Sequence, residues 1–186
     1  MNQRVQTRIR LGPCRSADVE LAAALRGRLE RLFGVPCVVD GALASAVPPS
    51  ERRDSGDLRA IAKALPQIAD GDKMLVLTPQ RLVSGSGLAV WGAAELGGYR
   101  ALLSLAPFGI ANGPPNQWRH VFRDVLREAA HELGHLFGLD HCPTRGCIMQ
   151  VRPARDKDDG VVRFCAECKA RLRLAPRKRD RAPVSR

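Results

Sequence analysis

The chain has 186 residues, 45% of them hydrophobic, which is enough for one domain with a buried core. No run of about 18 apolar residues occurs, which excludes a membrane-spanning helix, and no apolar stretch follows the N-terminal arginines as a signal peptide would require. The formal net charge is +11, but residues 169–186 carry +7 and the first 168 residues only +4, so the charge does not indicate a nucleic-acid-binding domain. We expect a monomer in the reducing cytoplasm, where clustered cysteines more often bind metal than form disulfides.

The first third of the chain predicts two strands around a helix. Residues 4–11 alternate apolar and polar side chains, as in a strand with one buried face, and residues 36–39 form a second short strand. Between them, residues 16–34 predict a helix that ends at a glycine. Its inward stripe comprises Val19, Ala22, Leu25, Leu29, Leu32 and Phe33.

The middle of the chain predicts a short helix at residues 57–65 and then three strands. Residues 74–78 are continuously apolar, which is typical of a strand covered on both faces. Residues 88–92 and 99–105 predict two strands around a glycine turn at residues 97–98.

A long helix is predicted at residues 116–137. Its apolar side chains recur at helical spacing and should face the core. They are Trp118, Val121, Phe122, Val125, Leu126, Ala129 and Leu133.

The end of this helix carries the most specific pattern in the chain. His131 and His135 are four residues apart, so both imidazoles can reach one metal ion from the same helix face. Glu132 can stand beside that metal as a general base, and Gly138 allows the backbone to turn and bring back His141 as a third ligand. Three neutral histidines leave the fourth position of a tetrahedral zinc ion open to water, as in catalytic zinc sites.

A second set of candidate ligands follows directly. Cys142 and Cys147 are separated by four residues, and Cys165 and Cys168 by two, which is the spacing of a closed, structural zinc site with four thiolates. Met149 follows the third histidine closely, as does the methionine beneath the zinc site of metzincin peptidases.

The combination resembles the archaemetzincins, a family in which a metzincin catalytic helix leads directly into a second zinc site of four cysteines. The resemblance in motifs covers residues 131–168, and the preceding order of strands and helices, with residues 88–108, resembles the family more weakly. The 15-residue spacer between Met149 and Cys165 is slightly shorter than the family pattern, so we expect a trimmed loop with unchanged ligands.

The resemblance implies an α+β fold with a small mixed, twisted sheet and two or three helices. One of these helices carries the catalytic zinc ligands, and a C-terminal zinc knuckle has four cysteine ligands. One strand of residues 88–105 would then form the sheet edge above the cleft, where an extended peptide can pair. We expect one peptidase domain over residues 1–168, with its structural zinc segment at 142–168, and a flexible basic tail at 169–186.

The expected activity is hydrolysis of peptide bonds with two zinc ions per chain. The catalytic zinc would be bound by His131, His135 and His141, and the structural zinc by Cys142, Cys147, Cys165 and Cys168. Glu132 would accept the proton of the attacking water and pass it to the leaving amine, above a supporting Met149.

Other candidates receive simpler interpretations. His120 is expected to be exposed or to cap a helix, and Cys14 and Cys37 to be small buried residues. Metzincins often have a tyrosine after the methionine turn that supports the transition state, but the one tyrosine here is Tyr99. The role of Asp140, between two ligands, is left open.

Two functions are compatible with these observations. The first is a zinc metallopeptidase acting on a peptide or protein, with aminopeptidase action on short peptides as one form. The second is a zinc protein without proteolytic activity, whose cysteine knuckle and basic tail make a salt-sensitive contact with nucleic acid or bind a protein. The presence of Glu132 favours the enzyme, because a purely structural site needs no base.

Overall fold

The computed structural model describes residues 7–15, 18–46, 55–110, 117–151 and 160–174. Within these ranges no helix is long and apolar enough to cross a membrane. The strands and helices are β1 (Ile9–Pro13), α1 (Val19–Phe33), β2 (Cys37–Val39), β3 (Ser55–Asp57), α2 (Leu58–Ala64), β4 (Lys73–Thr78), β5 (Arg81–Val83), β6 (Ala89–Val90), β7 (Gly92–Ala94), β8 (Arg100–Ser104), α3 (Phe122–Leu136) and α4 (Ala166–Leu174).

A five-stranded mixed sheet with the order β2-β1-β4-β8-β7 forms the centre of the fold. Its first four strands are parallel, and β7 runs antiparallel to β8 at the edge, with Gly92 opposite Leu103. Parallel strands need helices or other cover on both faces. The mixed, twisted sheet with few helices confirms the expected fold class.

The core lies on both sides of this sheet because side chains of adjacent strand residues point to opposite faces. Leu75 and Leu77 join the cluster that contains α1 and α3, whereas Met74 and Val76 join a smaller cluster on the other face. Residues 74–78 are therefore covered on both faces, as predicted. Residues 7–11 alternate as predicted for a strand with one buried face: Thr7, Ile9 and Leu11 are buried, while Arg8 is exposed and Arg10 half-buried. Residues 4–6 lie outside the described residues.

Helix α1 packs its apolar stripe against the sheet and ends at Gly34, whose φ of 64° suits glycine. Ala22, Leu25, Leu29 and Phe33 are buried as predicted, but Val19 is 44% exposed because it is the first helical residue and faces away from the sheet. Residue 16, the predicted start, lies outside the described residues.

Two predicted elements are divided in the structure. Residues 88–92 do not form one strand, because Trp91 interrupts it: β6 belongs to a small second sheet with β3 and β5, and β7 to the main sheet. The long helix at residues 116–137 is likewise divided. A 3-10 turn at Gln117–His120 precedes α3, and residue 116 lies outside the described residues.

Helix α4 had no counterpart in the sequence analysis. It includes Lys169–Leu174, so the first residues of the predicted flexible tail are helical, while residues 175–186 lie outside the described part. Two buried residues, Cys168 and Leu172, face the core from this helix. Their spacing of four residues was too short a pattern to predict a helix among so many basic residues.

Candidate active site and metal centres

The last two turns of α3 bring His131 and His135 together. Each ring donates its Nδ1–H to a backbone carbonyl: His131 to Ile148 at 2.9 Å and His135 to Leu139 at 2.8 Å. A carbonyl can only accept, so these bonds leave both Nε2 atoms unprotonated and facing each other, 3.1 Å apart. This is how metal-binding histidines are usually held.

His141 completes the group after a tight turn. Gly138, at a φ of 82°, lets the chain reverse, and its N–H bonds to the carbonyl of His135. The His141 ring centre then lies 5.3 Å from that of His131 and 4.9 Å from that of His135. One donor atom of each histidine lies within 4.8 Å of the other two.

The geometry and protonation of the three rings fit a zinc ion. Two nitrogen ligands of a tetrahedral zinc ion stand about 3.3 Å apart, close to the separation of the His131 and His135 Nε2 atoms. Burial, which outweighs the hydrogen bond to Ile148, lowers the pKa of His131 to about 4. The pKa of His135 is also lowered, mainly by burial. Both rings are therefore neutral at pH 7, as metal ligands must be.

Glu132 is buried beside this group, with a relative exposure of 5%. Burial, with a smaller contribution from the charge of Glu128, raises the pKa of Glu132 to about 8. Strand β7 crosses directly over this side chain: a Cβ atom added to Gly92 would lie 2.6 Å from Glu132 Oε1. The carboxyl group thus binds a proton more tightly than an exposed glutamate does, and it has little room to move.

The four C-terminal cysteines form a second cluster, with their sulfurs within 4.8 Å of one another. Cys142 Sγ and Cys165 Sγ are 3.8 Å apart, which equals the spacing of about 3.8 Å expected between thiolates on a tetrahedral zinc ion. The N–H groups of Cys165 and Cys168 donate to the sulfurs of Cys147 and Cys165. The bond from the Cys168 N–H is the main reason that the pKa of Cys165 falls to about 7. Burial raises the pKa of Cys147 and of Cys168 instead, so the fit to zinc rests on the four sulfurs and their spacing.

Met149 lies under the histidines and outside both groups of candidate ligands. It is fully buried, and a Cβ atom added to Gly134 would lie 2.4 Å from its sulfur. Its carbonyl accepts a hydrogen bond from the N–H of Cys142 at 2.9 Å. Because Cys142 follows His141 directly, this bond links Met149 to the segment that carries the third histidine. The position agrees with a supporting, non-coordinating methionine.

A cleft of about 1170 Å³ opens above the histidines. It lies between β7 on one side and residues 148–151 on the other, with α3 along its floor. At one end Trp91, 40% exposed, packs its ring against Phe108 at 5.2 Å. These two side chains and Glu128 were missed in the sequence, since only their folded positions place them at the cleft.

The remaining candidate residues differ in their positions relative to the cleft and in their reactivity. His120 is exposed and Tyr99 is buried in the smaller cluster, and neither lines the cleft. Asp140 lines the cleft and is exposed. Cys37 is buried and Cys14 half-buried, and burial raises the pKa of each thiol to about 12, so both are unreactive at neutral pH.

Comparison with known sequences places these features in a family. The sequence pattern of peptidase family M54 matches residues 90–174, the segment with β7, α3 and both clusters. An archaemetzincin from Methanocaldococcus jannaschii is 30% identical over 171 residues, covering 89% of this chain and 92% of that protein. An archaemetzincin from Archaeoglobus fulgidus is 40% identical over 86 residues, covering 45% of this chain and 49% of that protein, so this alignment spans about half of that relative.

Solved structures give the same result for the fold. The archaemetzincin of Methanopyrus kandleri matches with a TM-score of 0.67 at 23% identity, covering 94% of this chain and 97% of that one. The Archaeoglobus fulgidus archaemetzincin, solved with malonate, matches with a TM-score of 0.63 at 29% identity, covering 88% and 99%. The similarity thus includes nearly the whole length of both structures.

Proposed function

The chain belongs to the archaemetzincin family of zinc metallopeptidases, and on this premise we propose that it hydrolyses peptide bonds in the cleft above α3. In this proposal His131, His135 and His141 bind the catalytic zinc, and Glu132 is the general base. A second, structural zinc is held by Cys142, Cys147, Cys165 and Cys168. The observation that carries the proposal is the convergence of three imidazoles beside one buried carboxyl group at the floor of an open cleft.

The protein residues account for the proton transfers. When bound, zinc would supply a Lewis acid that polarises the substrate carbonyl and acidifies water. Glu132 takes a proton from the attacking water and returns it to the leaving amine, a role supported by its buried position beside the histidines at the cleft. The Nδ1–H bonds of His131 and His135 to backbone carbonyls hold the rings in one orientation throughout.

The edge strand supports a binding mode for the substrate. Strand β7 ends the main sheet, so one side of its backbone can pair with an extended peptide. The Trp91–Phe108 pair at one end of the cleft offers an apolar surface to a substrate side chain. Aminopeptidase action on short peptides is the finer proposal: Glu128, half-buried in the cleft one turn before Glu132, places a carboxyl group where it can attract a substrate ammonium.

The setting of the protein is proposed on chemical grounds. None of the six cysteines forms a disulfide, which suits the reducing cytoplasm, and we propose that the chain acts there as a monomer. The alternative function, nucleic-acid or protein binding without proteolysis, has support in the exposed basic residues of α4, among them Lys169, Arg171 and Arg173. The position of Glu132 in the cleft favours the enzyme, because a protein that only binds nucleic acid or another protein has no use for a general base there.

A peptide-library cleavage screen tests the proposed function. The zinc-loaded chain is expected to cut a subset of peptides, and a chelator should abolish cleavage until zinc is restored. Comparison of free with acetylated N-termini separates aminopeptidase from endopeptidase action. No cleavage by the zinc-loaded protein, together with nucleic-acid binding that weakens steeply with salt, would favour the alternative.

The two metal centres are expected to be coupled, because His141 and Cys142 are adjacent and would bind different ions. Cys168→Ser should therefore weaken zinc binding at the histidines by about 10–100-fold as well as destabilise the fold, since the loop that carries His141 loses its anchor. Competition titration of the histidine site against a chelator, with circular dichroism to follow folding, measures both effects. An unchanged affinity of the remaining zinc would contradict this coupling.

A further inference from the structure

Arg127 is a buried arginine in α3, one turn before His131. Its side chain is 8% exposed, and its Nη2 donates a hydrogen bond to the backbone carbonyl of Cys147. Burying a guanidinium is costly unless hydrogen bonds and an opposite charge compensate it. Burial raises the pKa of the adjacent Glu128, and the positive charge of Arg127 opposes that rise, so the two side chains interact electrostatically. The bond to Cys147 is thus an internal contact of the folded chain, shielded from water.

The bond from Arg127 is one of two similar hydrogen bonds that neighbouring turns of α3 make to the same loop. Arg127 and His131 are four residues apart and share a face of α3. Arg127 donates to the carbonyl of Cys147, and His131 donates to the carbonyl of the next residue, Ile148. Consecutive turns of one helix therefore hold two consecutive carbonyls of one loop.

The held loop belongs to both candidate metal centres. The sulfur of Cys147 is part of the four-cysteine cluster, while the carbonyl of Ile148 orients the His131 ring. The loop closes through the bond from the Cys142 N–H to the Met149 carbonyl. A shift of Cys147 and Ile148 would consequently move the acceptor on which the His131 orientation depends.

We propose that Arg127 is a positioning residue for His131. By fixing the Cys147 carbonyl it keeps the Ile148 oxygen in place, and that oxygen holds the His131 ring with Nε2 toward the metal. The inference rests on the proposed zinc-binding role of the histidines. It adds a direct hydrogen bond from α3 to Cys147 of the four-cysteine cluster. This connection between the two clusters is independent of the adjacency of His141 and Cys142.

Cobalt(II) binding to the full chain tests this role without relying on activity. A site of three imidazoles and a site of four thiolates have separate absorption bands, so each can be titrated on its own. In Arg127→Met the cobalt affinity of the histidine site should fall about 10–100-fold with a changed visible band, while the thiolate band is kept. Arg127→Lys, which can still donate one bond, should recover part of the affinity. Arg31→Met, at an exposed position of α1, is the control for loss of one positive charge.

A second measurement reports the hydrogen bond itself. In the zinc-loaded protein, the Nδ1–H resonance of His131 should shift and exchange faster with water in Arg127→Met than in the wild type. If that variant does not fold, Arg127→Leu is measured in the same way beside Arg127→Lys. Faster exchange of this Nδ1–H in the leucine variant than in the lysine variant supports the proposal, and equal exchange in both overturns it.

Three further results would overturn the proposal. The first is wild-type cobalt affinity and band shape at the histidines of Arg127→Met. The second is equal weakening of both sites without recovery by lysine, which would mean a purely structural role. The third is a wild-type chain whose histidines bind no cobalt, and this result alone would remove the proposed function as well.

Discussion

Replacing Glu132 by Gln is expected to lower kcat by about 10²–10⁴-fold while the chain keeps its zinc. The amide has nearly the size and shape of the carboxyl group, so the buried position should still pack. An amide cannot accept the proton of the attacking water, and proton transfer is the step that depends on this side chain. Measurement of kcat on a peptide from the library screen, with zinc content on the same sample, separates loss of the base from loss of the metal.

The matched control for Glu132→Gln is Glu20→Gln, the same chemical change at an exposed position in the first turn of α1. It should leave both kcat and zinc content unchanged. Turnover of Glu132→Gln at the wild-type rate, with zinc bound, would show that Glu132 is not the general base.

Gly92→Ala is expected to reduce kcat by about 100-fold or more, although alanine adds only a methyl group. The added Cβ would lie 2.6 Å from Oε1 and 2.7 Å from Cδ of Glu132, closer than non-bonded carbon and oxygen atoms approach. Glu132 is buried, so it can relieve the contact only by moving away from its present position or by displacing β7. Either shift misplaces the base, and it should also destabilise the fold by about 1–3 kcal/mol.

Kinetics, zinc content and thermal unfolding of Gly92→Ala measure these effects together. The φ of Gly92 is not positive, so alanine tolerates the backbone there and the expected loss is steric. Gly41→Ala is the matched control, because a Cβ at that position meets open space. Full activity of Gly92→Ala would mean that β7 does not press against Glu132 during catalysis.

The sequence predicted both clusters of candidate ligands because the members of each are close together along the chain. His131 and His135 are related by helix geometry alone, and Gly138 provides the turn to His141, so three-dimensional information adds little there. The same holds for Cys142 and Cys147, and the structure places Cys165 and Cys168 beside them. The spacing of these residues along the chain was therefore sufficient to predict both groups.

The sequence could not predict what depends on contacts between distant segments. Trp91 belongs to the cleft only because the chain changes from the second sheet to the main sheet at that residue, which local periodicity does not record. Gly92 ends a predicted strand, and only the fold shows that β7 lies over Glu132 at this residue. The sequence analysis assigned no role to Arg127, because its acceptor, Cys147, is 20 residues away along the chain.

The two acceptors that hold the histidine rings, Leu139 and Ile148, both lie in the connection between α3 and α4. Turning the His131 or His135 ring away from a bound metal ion would thus break its hydrogen bond to this connection. The connection therefore helps to retain the ion. Escape of the ion would then require partial unfolding of the connection, an event far slower than rotation of a side chain. Dissociation kinetics at this site would consequently report the local opening free energy of the polypeptide.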